Sequence, residues 1–190
     1  MRSKIYENIV VSTIGCFLIV SCSEPGKNIF SNEGSQSAYE SVPEAKTQSN
    51  YFTRESYKNI SIGDDFNAQL LERNTDIIDD CFNAVSRIEK KDISYQIESS
   101  KVAVISTSES GFESYSGVKI GNSLEEVYSK HENEYPEIID NPYGEPNKNI
   151  VVTYWYSPEK DKGIRYDVDD NVVTGMSIGN SSLVFLEGCS

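Results

Sequence analysis

The chain has few of the residues on which enzyme chemistry most often depends. Its 190 residues include one histidine, one tryptophan and four cysteines. A Ser-His-Asp or Cys-His nucleophilic site would have to use His131, and zinc would find no obvious set of ligands. A glycine-rich phosphate loop is also missing, since Gly63 and Gly121 stand alone. The sequence therefore predicts no catalytic residue, no metal site and no cofactor.

Basic residues are scarce as well. The chain has 17 Lys and Arg against 30 Asp and Glu, which gives a formal net charge of −13. An acidic surface repels phosphate backbones and anionic lipid head groups, so nucleic acid is not an expected partner. The same charge suits solubility or the attraction of a basic partner.

The sequence also lacks an apolar run long enough to span a bilayer. The most apolar stretch, Ile9–Val20, is shorter than the roughly 20 residues that a membrane-spanning helix needs. It follows Arg2 and Lys4, an arrangement typical of a signal peptide. We expect residues 1–21 to be removed during export. Loss of Arg2, Lys4 and Glu7, a net charge of +1, changes the net charge from −13 to −14.

The end of this stretch, Ile19-Val20-Ser21-Cys22, resembles the lipobox of bacterial lipoproteins. The resemblance implies that Cys22 carries acyl chains, which anchor the protein in a membrane. Ser23 lacks the acidic character associated with inner-membrane retention, so the expected location is the outer membrane, facing the periplasm. The alternative is an ordinary secretory signal with incidental cysteines.

Two cysteines are left over once Cys16 leaves with the signal peptide and Cys22 is acylated. Exported proteins mature in oxidising surroundings, where disulfides persist. We therefore predict a Cys81–Cys189 disulfide, which would tie down the C-terminal end of the chain. The alternative is a pair of buried free thiols.

Composition divides the mature chain into two parts. Residues 22–57 are rich in Ser, Asn, Glu, Gln and Gly, and their few apolar residues are scattered. Such a segment buries too little surface to offset the entropy of ordering, so it predicts a flexible tether. Residues 58–190 are enough for one folded domain with a core.

The predicted domain contains a weak internal sequence repeat. The segments "NISIGDDFNAQLLERN", from Asn59, and "GVKIGNSLEEVYSKHE", from Gly117, align at an Ile-Gly pair. Each has the pattern of a strand, a glycine turn, a helix and further strands. The prediction is an α+β fold of two related helix-plus-antiparallel-meander units, residues 58–110 and 115–190, with one disulfide.

The second unit has the clearer helix. Asn122 is predicted as its N-cap, with Glu125 three residues later as in a capping box. One apolar face follows at helical spacing: Leu124, Val127, Tyr128 and His131. The place of His131 at the end of that face favours a partly buried histidine with satisfied hydrogen bonds over a catalytic one.

Turn residues separate five predicted strands. A hairpin turns at Ser99-Ser100 in the first unit, and Asp169-Asp170-Asn171 makes a second turn in the other unit. Asp167, Asp169 and Asn171 have the opening spacing of a calcium loop, but Val172 replaces its required glycine, so a hairpin turn is predicted there. The strands are Ile93–Glu98, Lys101–Ser106, Asn149–Ser157, Gly163–Asp169 and Val172–Gly179.

Three features of the predicted domain carry a further resemblance: Cys81, the segment "SYSGVKIGNSLEEV" at Ser114–Val127, and the final "EGC". Together they resemble a group of uncharacterised exported bacterial proteins, in which threonine is usual at position 114. The opening from Lys119 to Val127 is similar to that of β-lactamase inhibitory protein-like α+β modules and of the small lipoprotein subunit of the β-barrel assembly machinery. The resemblance implies a fold and a cysteine pairing, with no activity attached.

Alternation along the second meander separates a core face from an outer face. The predicted core residues are Val152, Tyr154, Tyr156, Ile164, Tyr166, Val168, Thr174, Met176 and Ile178. The outer face carries Trp155 and Arg165, two residue types common at interface hot spots, and they are predicted as a binding anchor. The alternatives are that the first unit covers this face, or that a cation–π contact merely shields Trp155.

The expected function is that of a lipid-anchored envelope binding or interaction protein without enzymatic activity. Its partners would be the membrane, through the acyl chains, and an envelope protein or cell-wall component met on the sheet surface. A sharper version is an inhibitor or immunity protein whose negative charge steers a basic exported toxin or hydrolase. The rival class is an envelope hydrolase with an acidic-residue active site, in which two carboxylates would converge in a deep cleft.

Overall fold

The structure, a computed structural model, describes residues 50–89 and 92–189. The predicted signal peptide, Cys22 and most of the predicted tether lie outside these residues. In chain order the elements are β1 (Tyr51–Phe52), β2 (Ser56–Tyr57), β3 (Ile60–Ser61), β4 (Leu71–Arg73), β5 (Cys81–Ser86), β6 (Ile93–Glu98), β7 (Lys101–Thr107), β8 (Glu113–Ser114), α1 (Leu124–Lys130), β9 (Glu137–Asp140), β10 (Asn149–Trp155), β11 (Gly163–Asp169), β12 (Val172–Gly179) and a 3₁₀ helix (Ser181–Val184). Within this part of the chain, no helix has the length and apolar character needed to cross a membrane.

Eight of the strands form one antiparallel sheet in the order β4-β5-β6-β7-β12-β11-β10-β9, and the other four form a small sheet in the order β3-β2-β1-β8. The two predicted units meet inside the large sheet, where β7 pairs with β12 and Ile105 lies opposite Ile178. Among the described residues the fold is mostly β, with 43% of them in strands and one seven-residue helix. The prediction of an α+β fold with two related helix-plus-meander units is therefore wrong, because both halves contribute to a single sheet.

The helix predicted in the first unit is replaced by a turn at Asn67. Its side-chain oxygen accepts a hydrogen bond from the Gln69 N–H at 2.9 Å, and its carbonyl accepts from the N–H groups of Leu70 and Leu71. Short polar side chains that bond nearby backbone in this way compete with helix formation. Leu71 then begins β4 and is buried, so the apolar residues of this segment serve a strand.

The glycine turns of the two internal repeats nevertheless have the same conformation. Gly63 and Gly121 both have a φ of +94°, in the left-handed region that favours glycine. The N–H of Gly63 donates to the Val102 carbonyl and that of Gly121 to the Val173 carbonyl, each at 2.8 Å. The internal repeat therefore corresponds to two equivalent turns that hydrogen-bond to the sheet, whereas the segments around these turns differ in structure.

Helix α1 begins one residue later than predicted. Its N-cap is Ser123, whose hydroxyl accepts from the Glu126 N–H at 3.2 Å while the Glu126 carboxylate accepts from the Ser123 N–H at 2.7 Å. Asn122 instead accepts from the Lys119 N–H at 2.7 Å and closes the preceding turn. The capping box is thus present, shifted by one position, and Val127 is the buried residue of the helix.

The predicted strands are confirmed with small changes at their ends. Strands β6, β11 and β12 match residue for residue, β7 extends to Thr107, and β10 ends at Trp155. Ser99 and Ser100 have φ values of 47° and 65°, and Asp170 and Asn171 have 43° and 70°. Both pairs therefore form two-residue hairpin turns of the kind that needs left-handed residues.

The predicted core face of the second meander is confirmed except at Thr174, which is exposed. In the β11–β12 register Asp167 lies opposite Gly175, whereas Val168 lies opposite Val173. Thr174 is therefore the extra residue of a β-bulge, and the bulge turns Val173 into the core in its place.

The small sheet adds aromatic side chains to the same core. The rings of Phe52, Tyr57 and Phe112 contact one another at centroid distances of 5.6 to 5.7 Å. Phe52 and Tyr57 belong to the segment predicted as tether, yet both are buried. The folded region thus begins before residue 58.

The predicted Cys81–Cys189 disulfide is confirmed. It joins the first residue of β5 to a position 108 residues later, and a loop of that length is worth about 4 to 5 kcal/mol in the chain-entropy model. The bridge helps to hold residues 180–189, here called the C-terminal tail, against the outer face of the large sheet.

Candidate functional site

Arg165, predicted as part of a binding anchor, holds the C-terminal tail. The residue is 9% exposed, and its Nη1 donates to the carbonyls of Leu183 at 2.9 Å and Phe185 at 3.3 Å. Its Nε lies 3.4 Å from a carboxylate oxygen of Asp167. The outer face is thus covered here by the tail, through charge-assisted hydrogen bonds, and not by the first predicted unit.

Trp155 lies on the same face as Arg165 but has other partners. Its Nε1 donates to a carboxylate oxygen of Glu137 at 2.8 Å, and Lys160 Nζ lies 5.9 Å from the ring centroid. The indole packs against a small apolar cluster of Ala103, Val104 and Leu183. Both predicted anchor residues therefore have structural partners within the protein, and their binding role stays a prediction.

His131 is buried with both ring nitrogens occupied, as predicted. Its side chain is 1% exposed, and Nδ1 lies 2.8 Å from a carboxylate oxygen of Glu134 while Nε2 lies 3.0 Å from the Tyr166 hydroxyl. The ring stacks on Tyr154 at a centroid distance of 3.9 Å. Burial lowers the pKa of His131, and the hydrogen bond to Glu134 opposes that shift in part.

The hydroxyl of Tyr166 connects His131 to two serines. It lies 3.0 Å from Ser114 Oγ and 3.1 Å from Ser116 Oγ. Nucleophilic catalysis needs a serine in direct hydrogen-bond contact with its base, whereas here the tyrosine hydroxyl stands between them. Burial raises the pKa of Tyr166 to about 12, so this hydroxyl keeps its proton at neutral pH. The network is suited to ordering the core face.

Four carboxyl groups have pKa values held below their usual range by local donors. Each group, with its largest contributor, is as follows: Asp65 (the Lys101 ammonium), Glu126 (the Ser123 backbone N–H), Glu137 (the Lys160 ammonium) and Asp161 (the Ser157 hydroxyl). The general acid of a hydrolase needs a shift in the opposite direction. In residues 50–89 and 92–189, no group of three or more His, Cys, Asp or Glu side chains is placed to hold a metal ion.

Strand β9 forms one edge of the large sheet, and all four of its residues are exposed. Its register places Ile139 opposite Val151, and the Asn141 N–H donates to the Asn149 carbonyl at 2.8 Å. Because hydrogen bonding alternates along an antiparallel pair, the N–H and C=O groups of Ile138 and Asp140 point away from β10. These groups have no backbone partner among the described residues.

An open groove of about 480 Å³ lies between β9 and the C-terminal tail. Four of the eleven exposed large apolar side chains of the described residues line this groove. Tyr143 is 69% exposed and Phe185 is 60% exposed. We call this set the β9–tail surface; its members are Ile139, Tyr143, Val184 and Phe185.

The charged residues that line the groove are both acidic, Asp140 and Glu187. A hydrogen bond between Glu187 and Tyr143 raises the pKa of the tyrosine hydroxyl. At the other end of β9, Glu137 is paired with Lys160 at 2.7 Å. The charged side chains around the groove are therefore mostly acidic, in keeping with the net charge of the chain.

This surface was not predicted from the sequence. Its only local signals are two short stretches in which apolar residues adjoin acids, "EIID" at 137–140 and "LVFLE" at 183–187. Neither shows a period that marks one buried face. Comparison of the chain with protein-family models, curated proteins and solved structures finds no match. The β9–tail surface is therefore the main structural indication of function.

Proposed function

We propose that this protein is a lipid-anchored interaction protein of the bacterial cell envelope, and that it binds a partner protein through the β9–tail surface. The observation that carries the proposal is the grouping of four exposed apolar side chains in a groove beside an edge strand of the large sheet. Clustered apolar side chains on a surface are typical of interaction sites, and open strand edges are sites of pairing with other chains.

The lipobox-like segment that ends at Cys22 supports the anchor. The Cys81–Cys189 bridge suits a protein that matures outside the reducing cytosol. Acyl chains on Cys22 would hold the folded region at the outer membrane, facing the periplasm. The partner is then a protein that the β9–tail surface meets in that compartment.

The negative charge favours the inhibitor or immunity version of this function. Complementary charge raises association rates and suppresses unsuitable partners, so an acidic protein is suited to a basic toxin or hydrolase. The rival hydrolase function needs two convergent carboxylates with displaced pKa values, including one that is raised. The binding function is preferred because a specific surface supports it.

Site-specific photo-cross-linking tests the proposal in the bacterium that produces the protein. Tyr143 is replaced by a photo-cross-linking amino acid in the full-length chain, since this position is 69% exposed within the β9–tail surface. The matched control position is Ile88, which is 74% exposed and follows β5 near the other end of the sheet. We expect a discrete protein adduct from position 143 and none of the same mass from position 88.

A second substitution shows whether an adduct depends on the surface. Ile139→Asp places a charge in the groove at a residue that is already 45% exposed, so the fold should tolerate it. The adduct at position 143 should fall at least about tenfold, whereas Ile88→Asp should leave it unchanged. Equal adducts from both positions, an adduct that survives Ile139→Asp, or capture of glycan strands alone would contradict the proposal.

A further inference from the structure

A row of polar side chains crosses the outer face of the large sheet beneath the C-terminal tail. Ser94 on β6 lies opposite Ser106 on β7. Ser106 in turn lies opposite Ser177 on β12, and Ser177 lies opposite Arg165 on β11. Paired residues on neighbouring strands direct their side chains to the same face of a sheet. The tail, which runs from Arg165 to the disulfide on β5, therefore covers a row of hydroxyl groups.

A cavity of about 160 Å³ lies between this row and the tail. Its lining residues from the sheet are Asn83, Ser94, Gln96, Val104, Ser106 and Arg165. Residues 185–188 of the tail complete the lining. Since Ser94 and Ser106 are only partly buried, the cavity is accessible from solvent.

The C-terminal motif "EGC", residues 187–189, fixes the path of the tail across the sheet. Gly188 passes close to β6, since a Cβ at this position would lie 3.1 Å from the side-chain oxygen of Gln96. Its φ of +63° also lies in the left-handed region that favours glycine. Cys189 follows and is bonded to Cys81 on β5. The motif therefore shapes the cavity.

Several polar groups of the cavity lack a hydrogen-bond partner among residues 50–89 and 92–189. The hydroxyls of Ser94 and Ser106 make no hydrogen bond to any of these residues. The Nε of Arg165 is buried and likewise makes none, although a carboxylate oxygen of Asp167 lies 3.4 Å away. Buried polar groups in proteins are nearly always hydrogen-bonded. This set of groups is therefore suited to a molecule with hydrogen-bonding groups of its own.

Charge and volume limit the class of that molecule. The two charged residues that line the cavity, Arg165 and Glu187, have opposite signs, so neither an anion nor a cation is favoured by net charge. Hydroxyl groups both donate and accept hydrogen bonds, and they match serine, amide and guanidinium groups alike. A cavity of about 150 Å³ can hold benzene, so this one suits about six non-hydrogen atoms.

We propose that this cavity binds a small uncharged polyol, whose hydroxyl groups bond to Ser94, Ser106 and Arg165. The apolar side chains of Val104 and Leu186 contact its carbon atoms. The tail separates this site from the β9–tail surface, and residues 185–188 line both. The proposal goes beyond the proposed function and does not depend on it.

An NMR titration of the folded, disulfide-bonded protein tests the proposal. Glycerol is the uncharged probe, and glycerate and serinol place a carboxylate or an ammonium group on the same three-carbon chain. We expect glycerol to shift the amide resonances of Ser94, Ser106 and Gly188 in a saturable way. It should bind at least about tenfold more tightly than either charged probe, because burying a charge without an opposite partner is costly.

Glucose carries the same chemistry on a ring and distinguishes two sources of the ligand. Saturable shifts of the same amides with glucose as well as glycerol would identify the end of a sugar chain as a ligand. Shifts with glycerol alone would identify a free polyol.

A double variant, Ser94→Ala with Ser106→Ala, tests whether the hydroxyl row holds the ligand. It removes no hydrogen bond of the described structure, so the fold should tolerate it. Glycerol should bind at least about tenfold more weakly to this variant. Ser181→Ala is the matched control, because Ser181 is an exposed serine of the tail that does not line the cavity, and it should leave binding unchanged.

Four outcomes would overturn the proposal. They are the absence of saturable shifts with both glycerol and glucose, which means that the cavity takes up only water, shifts confined to residues outside the cavity, equal binding by the double variant, and equal binding of glycerate or serinol. The shifts of the wild-type protein remain decisive where the double variant folds poorly. None of these outcomes bears on the proposed function, which is contradicted only by the cross-linking results.

Discussion

Removing the disulfide should weaken the fold and free the end of the C-terminal tail. The change is a double variant, Cys81→Ser with Cys189→Ser, which avoids leaving one reactive thiol. The bridge closes 108 residues, and the chain-entropy model assigns about 4 to 5 kcal/mol to a loop of that size. Since small domains have about 5 to 15 kcal/mol in total, this is roughly a quarter or more of the unfolding free energy.

The loss of structure in the double variant should be uneven along the C-terminal tail. Leu183 is buried, its carbonyl accepts from Arg165, and the Ser182 hydroxyl donates to Glu98 at 2.7 Å. These contacts do not need the bridge, so residues 181–185 should keep slow amide exchange. None of residues 186–189 is fully buried, and the bridge at Cys189 ties them covalently to β5, so they should exchange quickly without it. The groove would then lose one wall.

The assay is urea unfolding followed by the fluorescence of Trp155, the single tryptophan, which packs near the tail. With a urea dependence of about 1.5 to 2 kcal/mol per molar, the midpoint should fall by about 2 to 3 M. Wild-type protein under a reducing agent is the matched control and should show the same fall. A midpoint within about 0.5 M of the oxidised wild type would refute the reasoning, because the bridge would then not constrain the unfolded chain.

Two further predictions concern the protonation of the buried His131 and the membrane anchor at Cys22. Burial lowers the pKa of His131 in the folded protein, so as the pH falls below about 6.5 the unfolded chain takes up a proton first and stability is lost. His131→Gln should remove up to about 1.4 kcal/mol per pH unit from the slope of unfolding free energy just below that pH; an unchanged slope contradicts the buried neutral state. Cys22→Ala should abolish incorporation of labelled palmitate and release the protein from membranes. Palmitate that still enters the variant, or never enters the wild type, contradicts the anchor.

The parts of the fold predicted from the sequence are those with a strong local signal. Strand β11 alternates apolar and polar residues over seven positions, β10 is rich in β-branched and aromatic residues, and Ser99-Ser100 and Asp170-Asn171 mark hairpin turns. The capping signal near Asn122 also gave the helix to within one residue. The lone histidine was placed correctly because an apolar helical face ended there.

The remaining features depend on contacts between distant segments. Asn67 diverts the first predicted helix into a turn, and the apolar residues around it fit a strand as well as a helix face. The cover over Arg165 comes from a tail 18 to 20 residues further along the chain. The β9–tail surface depends on strand order, since "EIID" becomes an edge only because no described strand pairs beyond it. A short apolar stretch in the sequence does not indicate that its strand will lie at the edge of a sheet.

The most direct test of the account is the yield of the adduct at position 143 in cells that carry Ile139→Asp, compared with Ile88→Asp. Both substitutions remove one exposed isoleucine, and only the first lies in the β9–tail surface. We predict that Ile139→Asp lowers the yield at least about tenfold while the protein level and its melting midpoint stay within error of the control. Equal yields from the two variants would contradict the claim that this surface binds the partner.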